Sequence, residues 1–313
     1  MKDNCNREIK HIRFSVTSKC NYNCIYCDNE GFIPKTTELS VEEIVKLSKI
    51  LAQILHVTRI KLTGGEPLCR DNIVQIIKGI SDLGLYKDIS LTTNGFFLYE
   101  NAENLYNAGL NRINVSLGSL KPEIYKKLYG SDSLGKVLKG LGKAREVGFD
   151  PIKLNFVLLK GINDNELEEM IDFCAKNGYI LQLIELHKIS DTIEGDGDFY
   201  EKYHIDVGSI IDNFESRARE ILIRGNMQNR KVFIMPNSAV IETVIPSHEF
   251  CMGCTKLRVG CDGNLFGCLF RSDLGKNVKD ALRNHYSLSK YEQIVKQVVN
   301  SREPYYKQQN KIV

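Results

Sequence analysis

The sequence has little net charge and no long apolar run. Its 42 Lys and Arg residues nearly balance 39 Asp and Glu residues, so the net charge of +3 predicts neither a nucleic-acid groove nor a surface for anionic membranes. No apolar stretch approaches the roughly 20 residues that a membrane span requires. The opening MKDNCNREIKHIR also lacks the apolar segment of a secretory signal. We therefore expect a soluble, cytoplasmic protein that binds neither nucleic acid nor membrane.

Cysteine, in contrast, is abundant. Ten cysteines in 313 residues favour metal or redox chemistry over disulfides, because reducing compartments keep thiols free. Six of them form two groups of three, which are Cys20, Cys24 and Cys27, and Cys251, Cys254 and Cys268. Each group is one ligand short of a closed tetrahedral site.

Six strand-like runs alternate with helical patterns over the first part of the chain, at residues 11–16, 59–63, 88–93, 112–117, 152–157 and 180–185. Ser40 with Glu43, and Asn163 with Glu166, stand at capping-box spacing before two of the helical patterns. This alternation predicts an α/β protein with parallel strands and right-handed crossovers, and six units predict an incomplete (βα)6 barrel of the TIM type. The first cysteine group, TGGEP and TTNG come at or after the ends of strands, where such sheets bind ligands.

The pattern changes after about residue 186. A polar, Gly- and Asp-rich excursion at 187–204 precedes short strand signals at 219–224, 231–235 and 239–245, which lead into the second cysteine group. We therefore predict a partial-barrel domain over residues 1–218. A small C-terminal α+β layer over residues 219–313 would carry the second cysteine group.

The first cysteine group has two interpretations. A zinc ion could borrow a histidine or carboxylate as its fourth ligand, although the three-residue gap before Cys24 is unusual for zinc. Alternatively, three thiolates on a [4Fe-4S] cluster leave one iron open to a small molecule. The CxxxCxxC spacing after the first strand, the aromatic Tyr26 and the TGGEP stretch resemble the radical S-adenosylmethionine superfamily.

That resemblance implies that S-adenosylmethionine binds at the open iron. It also implies cofactor contacts from residues at matching positions, namely Tyr26, Gly64, Gly65, Glu66, Thr92, Asn94 and Ser116. An ordinary turn is the alternative for the glycine pair. Turn or cap positions are the alternative for Thr92, Asn94 and Ser116.

The second cysteine group could be a zinc ribbon with Cys261 as its fourth ligand. Its spacing and its flanks, however, resemble the auxiliary cluster of the GTP 3',8-cyclases of molybdenum cofactor biosynthesis, in which an open iron binds the purine of the substrate. TGGEPLCR, TTNGFFL, LQLIEL and REPYY also look like that family, the last two like its archaeal branch. The resemblance implies two [4Fe-4S] clusters, S-adenosylmethionine, and no catalytic side chain beyond the cluster ligands. It implies substrate contacts from Arg13, Arg59, Lys61, Lys153, Lys256 and Arg258.

The family reaction converts GTP into (8S)-3',8-cyclo-7,8-dihydroguanosine 5'-triphosphate. It requires a low-potential electron donor, and the product passes to a cyclic pyranopterin synthase. Three residues depart from the family pattern. Lys256 replaces an arginine, Gln182 replaces a phosphate-binding arginine, and Gly118 replaces an acidic residue. The tail NKIV also lacks the twin glycines of bacterial members. These departures leave open a paralogue that acts on another nucleotide or on a peptide, and a non-catalytic metal-binding protein is a third hypothesis. Cys5, Cys69 and Cys261 have no assigned role, and Cys174 is expected in the core.

Overall fold

Six parallel strands, paired in chain order, form the centre of the fold. The structure is a computed structural model that describes residues 1–31, 37–187, 196–284 and 286–304. The strands are β1 (His11–Ser15), β2 (Arg59–Thr63), β3 (Asp88–Thr93), β4 (Arg112–Ser116), β5 (Ile152–Leu158) and β6 (Ile180–Glu185). Three of them, β2, β3 and β6, match their predicted runs residue for residue. The incomplete (βα)6 barrel is confirmed.

The C-terminal strands extend both edges of this sheet. They are β7 (Glu220–Arg224), β8 (Arg230–Ile234), β9 (Val240–Val244), β10 (Lys256–Val259), β11 (Asn264–Phe266) and β12 (Lys276–Asn277). The strand order is β12-β11-β10-β1-β2-β3-β4-β5-β6-β9-β8-β7. β10 is parallel to β1 and β9 is parallel to β6, whereas the outer pairings are antiparallel. The C-terminal layer is thus hydrogen-bonded to the barrel at both ends, and the proposed division at residues 218 and 219 stays a prediction.

Helices cover the outer face of the sheet. Their bounds are α1 (Val41–Leu55), α2 (Ile73–Asp82), α3 (Leu98–Asn107), α4 (Pro122–Tyr129), α5 (Leu134–Glu146), α6 (Leu167–Asn177), α7 (Asp196–Tyr203), α8 (Gly208–Arg217), α9 (His248–Met252), α10 (Lys279–Arg283) and α11 (Leu288–Asn300). In the described ranges, none of these helices combines the length and hydropathy of a membrane span. Helix α7 lies within the predicted excursion, of which residues 188–195 lie outside the described residues.

One of the two predicted capping boxes is present. Ser40 Oγ accepts a hydrogen bond from Glu43 N at 3.1 Å, and a Glu43 carboxylate oxygen accepts one from Ser40 N at 2.9 Å. The second prediction is wrong, because the Asn163 side chain does not cap a helix. Its amide instead bonds Leu159 N, Gly118 O and Val157 O, which ties the loop after β5 to the loop after β4.

Strand alternation places a basic row inside the barrel. Ile12 and Phe14 of β1 are fully buried in the apolar core, so Arg13 between them faces the interior. Register pairs Arg13 with Arg258 of β10 on one side and with Lys61 of β2 on the other. Three cations from three adjacent strands therefore lie side by side beneath the carboxyl ends of the strands.

Candidate active site

A cavity of about 360 Å³ opens at the carboxyl ends of the barrel strands. Both predicted cysteine groups line it, and the six residues are Cys20, Cys24, Cys27, Cys251, Cys254 and Cys268. The sequence separation between the groups exceeds two hundred residues. The fold brings them together because β10, next to the second group, pairs directly with β1, which leads into the first.

The thiols of the first group are chemically suited to a cationic iron-sulfur cluster. Burial, and then the neighbouring thiols of Cys27 and Cys20, raise the pKa of Cys24 to about 12. Burial and the nearby Asp28 raise the pKa of Cys27 to about 11. Positive charge on bound iron offsets this cost, because it stabilises the thiolate. Within the described residues, no three His, Cys, Asp or Glu side chains are close enough together to hold a single metal ion.

Aromatic residues hold the first cysteine loop against α4. The Tyr26 hydroxyl donates a hydrogen bond to the Tyr129 hydroxyl at 3.2 Å, and the two rings meet edge to face at 6.2 Å. The backbone N–H of Asn23 bonds Tyr129 O, and that of Ile25 bonds Leu128 O. The aromatic residue before Cys27 therefore anchors the loop, in addition to lining the cavity.

The glycine pair is required by close backbone packing. A Cβ atom on Gly64 would lie 2.4 Å from Thr17 O, and one on Gly65 would lie 2.3 Å from Lys19 O. Gly64 also has a φ of 155°, which side chains rarely adopt. The segment after β2 can thus pack directly on the chain leading to Cys20, which an ordinary turn would not require.

Two predicted cofactor contacts, Glu66 and Asn94, are joined by a hydrogen bond at the edge of the cavity. The Glu66 carboxylate, which is 1% exposed, accepts from Leu68 N at 2.9 Å, Thr93 Oγ1 at 2.7 Å and Asn94 N at 2.6 Å. Burial raises its pKa to about 7. Asn94 Nδ2 in turn donates to Asn21 Oδ1 beside Cys20 at 2.8 Å. Thr92, Asn94 and Ser116 all line the cavity, and their roles there stay predictions.

Glu30 forms ion pairs with two of the predicted substrate-binding arginines. Its carboxylate accepts from Arg13 Nε at 2.8 Å, from an Arg258 terminal nitrogen at 2.9 Å and from Thr63 Oγ1 at 2.6 Å. Burial alone would raise the pKa of Glu30, but Arg13 and then Arg258 lower it to about 2. Sequence reasoning missed Glu30, because only the register of β10 and β1 shows that two arginines converge on it.

Three other predicted substrate contacts do not reach the cavity lining. A terminal nitrogen of Arg59 lies 3.3 Å from His11 Nε2, Lys61 Nζ donates to Asn114 Oδ1 at 2.8 Å, and Lys153 Nζ donates to Glu242. All three stand at the beginning or in the middle of their strands, whereas the cavity lies at the carboxyl ends. The structure therefore gives no support for their predicted contact with a triphosphate.

The remaining predicted cation, Lys256, lines the cavity. Its Nζ donates to Gln228 Oε1 at 2.6 Å, and burial, followed by the nearby Arg230, lowers its pKa well below the usual range. Arg230 and His187 also line the cavity although neither was predicted as a site residue. Burial and then Lys256 lower the pKa of His187 to about 4, so its imidazole is neutral among these cations. Sequence reasoning missed Arg230, because the pairing of its strand β8 with β9, and of β9 with β6, cannot be inferred from the local sequence.

Two buried arginines support the second cysteine group from below. A terminal nitrogen of Arg7 donates to Cys251 O at 3.0 Å, and one of Arg302 donates to Cys254 O at 2.7 Å. Burial would raise the pKa of Cys254, but Arg302 and then Lys256 lower it overall. Cys261 is fully buried, and it is not among the residues that line the cavity with the other three.

The other cysteines lie outside the cavity lining. Cys174 is fully buried on α6, as expected for a core residue. Cys69 ends a short helical turn after Glu66, and Cys5 is half-buried near the N-terminus.

Comparison with known proteins identifies similar chains. Residues 14–174 match the family model "Radical SAM superfamily", and residues 179–308 match "Molybdenum Cofactor Synthesis C". The chain is 39% identical over 308 residues to a protein of Methanothermobacter thermautotrophicus named "Probable GTP 3',8-cyclase", which covers 98% of this chain and 99% of the relative. A protein of Thermococcus kodakarensis with the same name is 41% identical over 312 residues, with 97% and 99% covered.

A solved structure shows the same fold. Streptococcus suis SuiB, bound to its precursor peptide SuiA, superposes with a TM-score of 0.66 at 17% identity, over 93% of this chain and 67% of that one. At this identity the likeness concerns the fold alone.

Proposed function

The chain belongs to the radical S-adenosylmethionine superfamily and, within it, to the GTP 3',8-cyclase family, and on that premise we propose that it converts GTP into (8S)-3',8-cyclo-7,8-dihydroguanosine 5'-triphosphate. This reaction belongs to molybdenum cofactor biosynthesis. One observation carries the proposal. Two cysteine groups of three, from distant parts of the chain, line one cavity together with Arg13, Lys256 and Arg258.

Each cysteine group is assigned one [4Fe-4S] cluster. Cys20, Cys24 and Cys27 would hold the first cluster, with S-adenosylmethionine at its open iron, and Cys251, Cys254 and Cys268 would hold the second. When bound, the first cluster and S-adenosylmethionine supply the radical chemistry that begins with hydrogen abstraction from the nucleotide ribose.

The residues around the first cysteine group position the reaction without serving as acids or bases. Gly64 and Gly65 let the backbone after β2 pack on the cysteine loop, and the Tyr26 to Tyr129 contact fixes that loop on α4. The hydrogen bond between Glu66 and Asn94 joins the segments after β2 and β3, and the Asn94 side chain bonds Asn21 in the cysteine loop. A rigid wall of this kind keeps two ligands at a fixed separation and excludes water.

The charge of the cavity favours a nucleoside triphosphate. Arg13 and Arg258 share the carboxylate of Glu30, with the Asp28 carboxyl also nearby, and Lys256 has no carboxylate within ion-pair distance among the described residues. Excess positive charge in a partly buried site favours an anionic ligand, because an unpaired buried charge is costly. The triphosphate of GTP carries enough negative charge to balance these cations.

The partners of the enzyme belong to the same proposal. Its substrate is a nucleotide, its electrons come from a low-potential donor, and its product passes to a cyclic pyranopterin synthase in the cytoplasm. Family membership supports the nucleotide substrate.

The test is an anaerobic assay of the reconstituted chain with reductant, S-adenosylmethionine and GTP. We expect the cyclised nucleotide in amounts that match cleaved S-adenosylmethionine, and ATP as a parallel substrate should give little product. Cys24→Ala should abolish cleavage, whereas Cys254→Ala should allow some cleavage without cyclised product. Cleavage of S-adenosylmethionine by the unaltered chain with no cyclised nucleotide would reject the proposal and favour a related enzyme with another substrate.

A further inference from the structure

Arg230 reaches the cavity from outside the six-stranded barrel. It lies at the start of β8, which is separated from β6 by β9, and its side chain is 8% exposed. One terminal nitrogen lies 2.8 Å from a Glu242 carboxylate oxygen on β9 and 3.4 Å from Gln182 Oε1 on β6. The guanidinium thus extends from β8 past β9 to β6, where it lines the cavity.

The hydrogen bonding of Arg230 is incomplete. Its Nε is buried and has no hydrogen-bond partner within the described part of the chain. A guanidinium carries five N–H donors in a rigid plane, and a buried donor without an acceptor is destabilising. Both hydrogen bonds described above come from one terminal nitrogen, so the guanidinium keeps donor capacity for a ligand in the cavity that Arg230 lines.

The charge around Arg230 is unbalanced in the same direction. Glu242, which is 1% exposed, is the shared carboxylate of Lys153, Arg224 and Arg230. Three cations around one carboxylate leave an excess of positive charge at this wall. The excess positive charge and the incomplete hydrogen bonding of the guanidinium both favour an anionic ligand.

A second basic side chain faces the same space. Lys256 Nζ and the Arg230 guanidinium lie 5.9 Å and 6.0 Å from the centre of the Phe250 ring, which also lines the cavity. Lys256 donates to the neutral Gln228. Two basic side chains, from β8 and β10, therefore converge near one aromatic side chain.

We propose that Arg230 is a further substrate-binding residue, whose guanidinium donates to a phosphoryl oxygen of the bound nucleotide beside Lys256. Phosphate supplies both several acceptors and the negative charge that this wall lacks, and the planar donors of arginine suit its geometry. The inference rests on the proposed function for the nucleotide. It also gives the phosphate end of the cavity a position next to β8 and β10.

The test compares GTP with guanosine, because only GTP carries phosphate. Equilibrium dialysis is performed with the anaerobically reconstituted full chain and its variants Arg230→Met and Arg230→Lys. We expect Arg230→Met to weaken GTP binding by about 10- to 100-fold, which is the range for one charge-assisted hydrogen bond. Guanosine affinity should change less than about twofold, and Arg230→Lys, which keeps the charge, should lose less GTP affinity than Arg230→Met.

Arg224→Met is the matched control. Arg224 binds the same Glu242 carboxylate at 2.9 Å but is not among the cavity-lining residues, so its loss disturbs the same ion cluster. Equal losses of GTP affinity in Arg224→Met and Arg230→Met would overturn the proposal. So would equal losses of GTP and guanosine, unchanged GTP binding in Arg230→Met, or failure of both Arg230 variants to fold. If the unaltered chain binds GTP through Arg230 but does not cyclise it, the proposed function fails and the phosphate contact remains.

Discussion

Glu30 determines the charge balance on the first cysteine side of the cavity. Its carboxylate is 12% exposed and binds two arginines that are themselves largely buried. A buried ion pair is weak evidence for stability as a whole. Removing only one partner is strongly destabilising, however, because it leaves the other charge unpaired. At Glu30 this effect is doubled, since Arg13 and Arg258 both lose their carboxylate.

Glu30→Gln should therefore lower the free energy of unfolding by about 3 kcal/mol. The glutamine keeps the size of the side chain and removes only its charge, so the loss reports the ion cluster. Anaerobic urea unfolding provides the measurement. Combining Glu30→Gln with Arg13→Met should cost less than the sum of the two single changes, because the two residues act as one pair.

Glu8→Gln is the matched control at the surface. Glu8 and Lys10 lie 3.7 Å apart, and both side chains are about half exposed. Their pair should contribute less than about 0.5 kcal/mol. A loss at Glu30 no larger than the loss at Glu8 would contradict the role given to the cluster.

The junction between β10, β1 and β2 depends on a neutral histidine. His11 Nδ1 lies 2.9 Å from Thr255 Oγ1, and its Nε2 lies 3.3 Å from a terminal nitrogen of Arg59. Arginine only donates, so Nε2 must accept and Nδ1 must carry the proton that is donated to Thr255. Burial, and then Arg59, lower the pKa of His11 to about 4.

This junction predicts a loss of stability in mild acid. The unfolded chain takes up a proton at His11 near pH 6.5, whereas the folded chain resists it until about pH 4. The stabilising contribution is therefore complete above pH 6.5 and is lost as the pH falls toward 4, with about 2 kcal/mol lost between pH 7.5 and pH 5. Between pH 7.5 and pH 5, the free energy of unfolding of His11→Gln, measured with urea, should fall by about 2 kcal/mol less than that of the unaltered chain.

The exposed His56, at the C-terminal cap of α1, provides the control. His56→Asn should retain the pH dependence of the unaltered chain. If His11→Gln retains it as well, the assignment of a neutral imidazole at this junction is incorrect.

The elements also show what the sequence can and cannot predict. The bounds of strands β2, β3 and β6 coincide with the predicted runs. Lys61 lies on the inner face of β2, but the cavity begins at Thr63, two residues further along the strand, which the sequence does not show. Glu30 and Arg230 depend on pairings between distant strands, which no local pattern encodes.

At the scale of the whole molecule, the N-terminal segment and the segment around Arg302 meet beside the second cysteine group. Asp3 is fully buried and binds Arg7 at 2.7 Å and Arg302 at 3.1 Å. Those two arginines donate to the carbonyl oxygens of Cys251 and Cys254. One carboxylate near the N-terminus thus fixes both supports of the loop that would hold the second cluster.

Asp3→Asn should loosen that loop and lower its retention of iron. The change leaves two buried guanidinium groups without their carboxylate, which costs about 3 kcal/mol of stability. After anaerobic reconstitution and treatment with a chelator, the unaltered chain should keep roughly eight irons, as two cubane clusters require. Asp3→Asn should fall toward roughly four, the count expected when Cys251, Cys254 and Cys268 are all replaced by alanine. Glu8→Gln, on the same N-terminal segment, is the control and should keep the full iron count. If Asp3→Asn keeps all its iron and its unfolding midpoint is unchanged, the Asp3 ion pairs do not support the loop that would hold the second cluster.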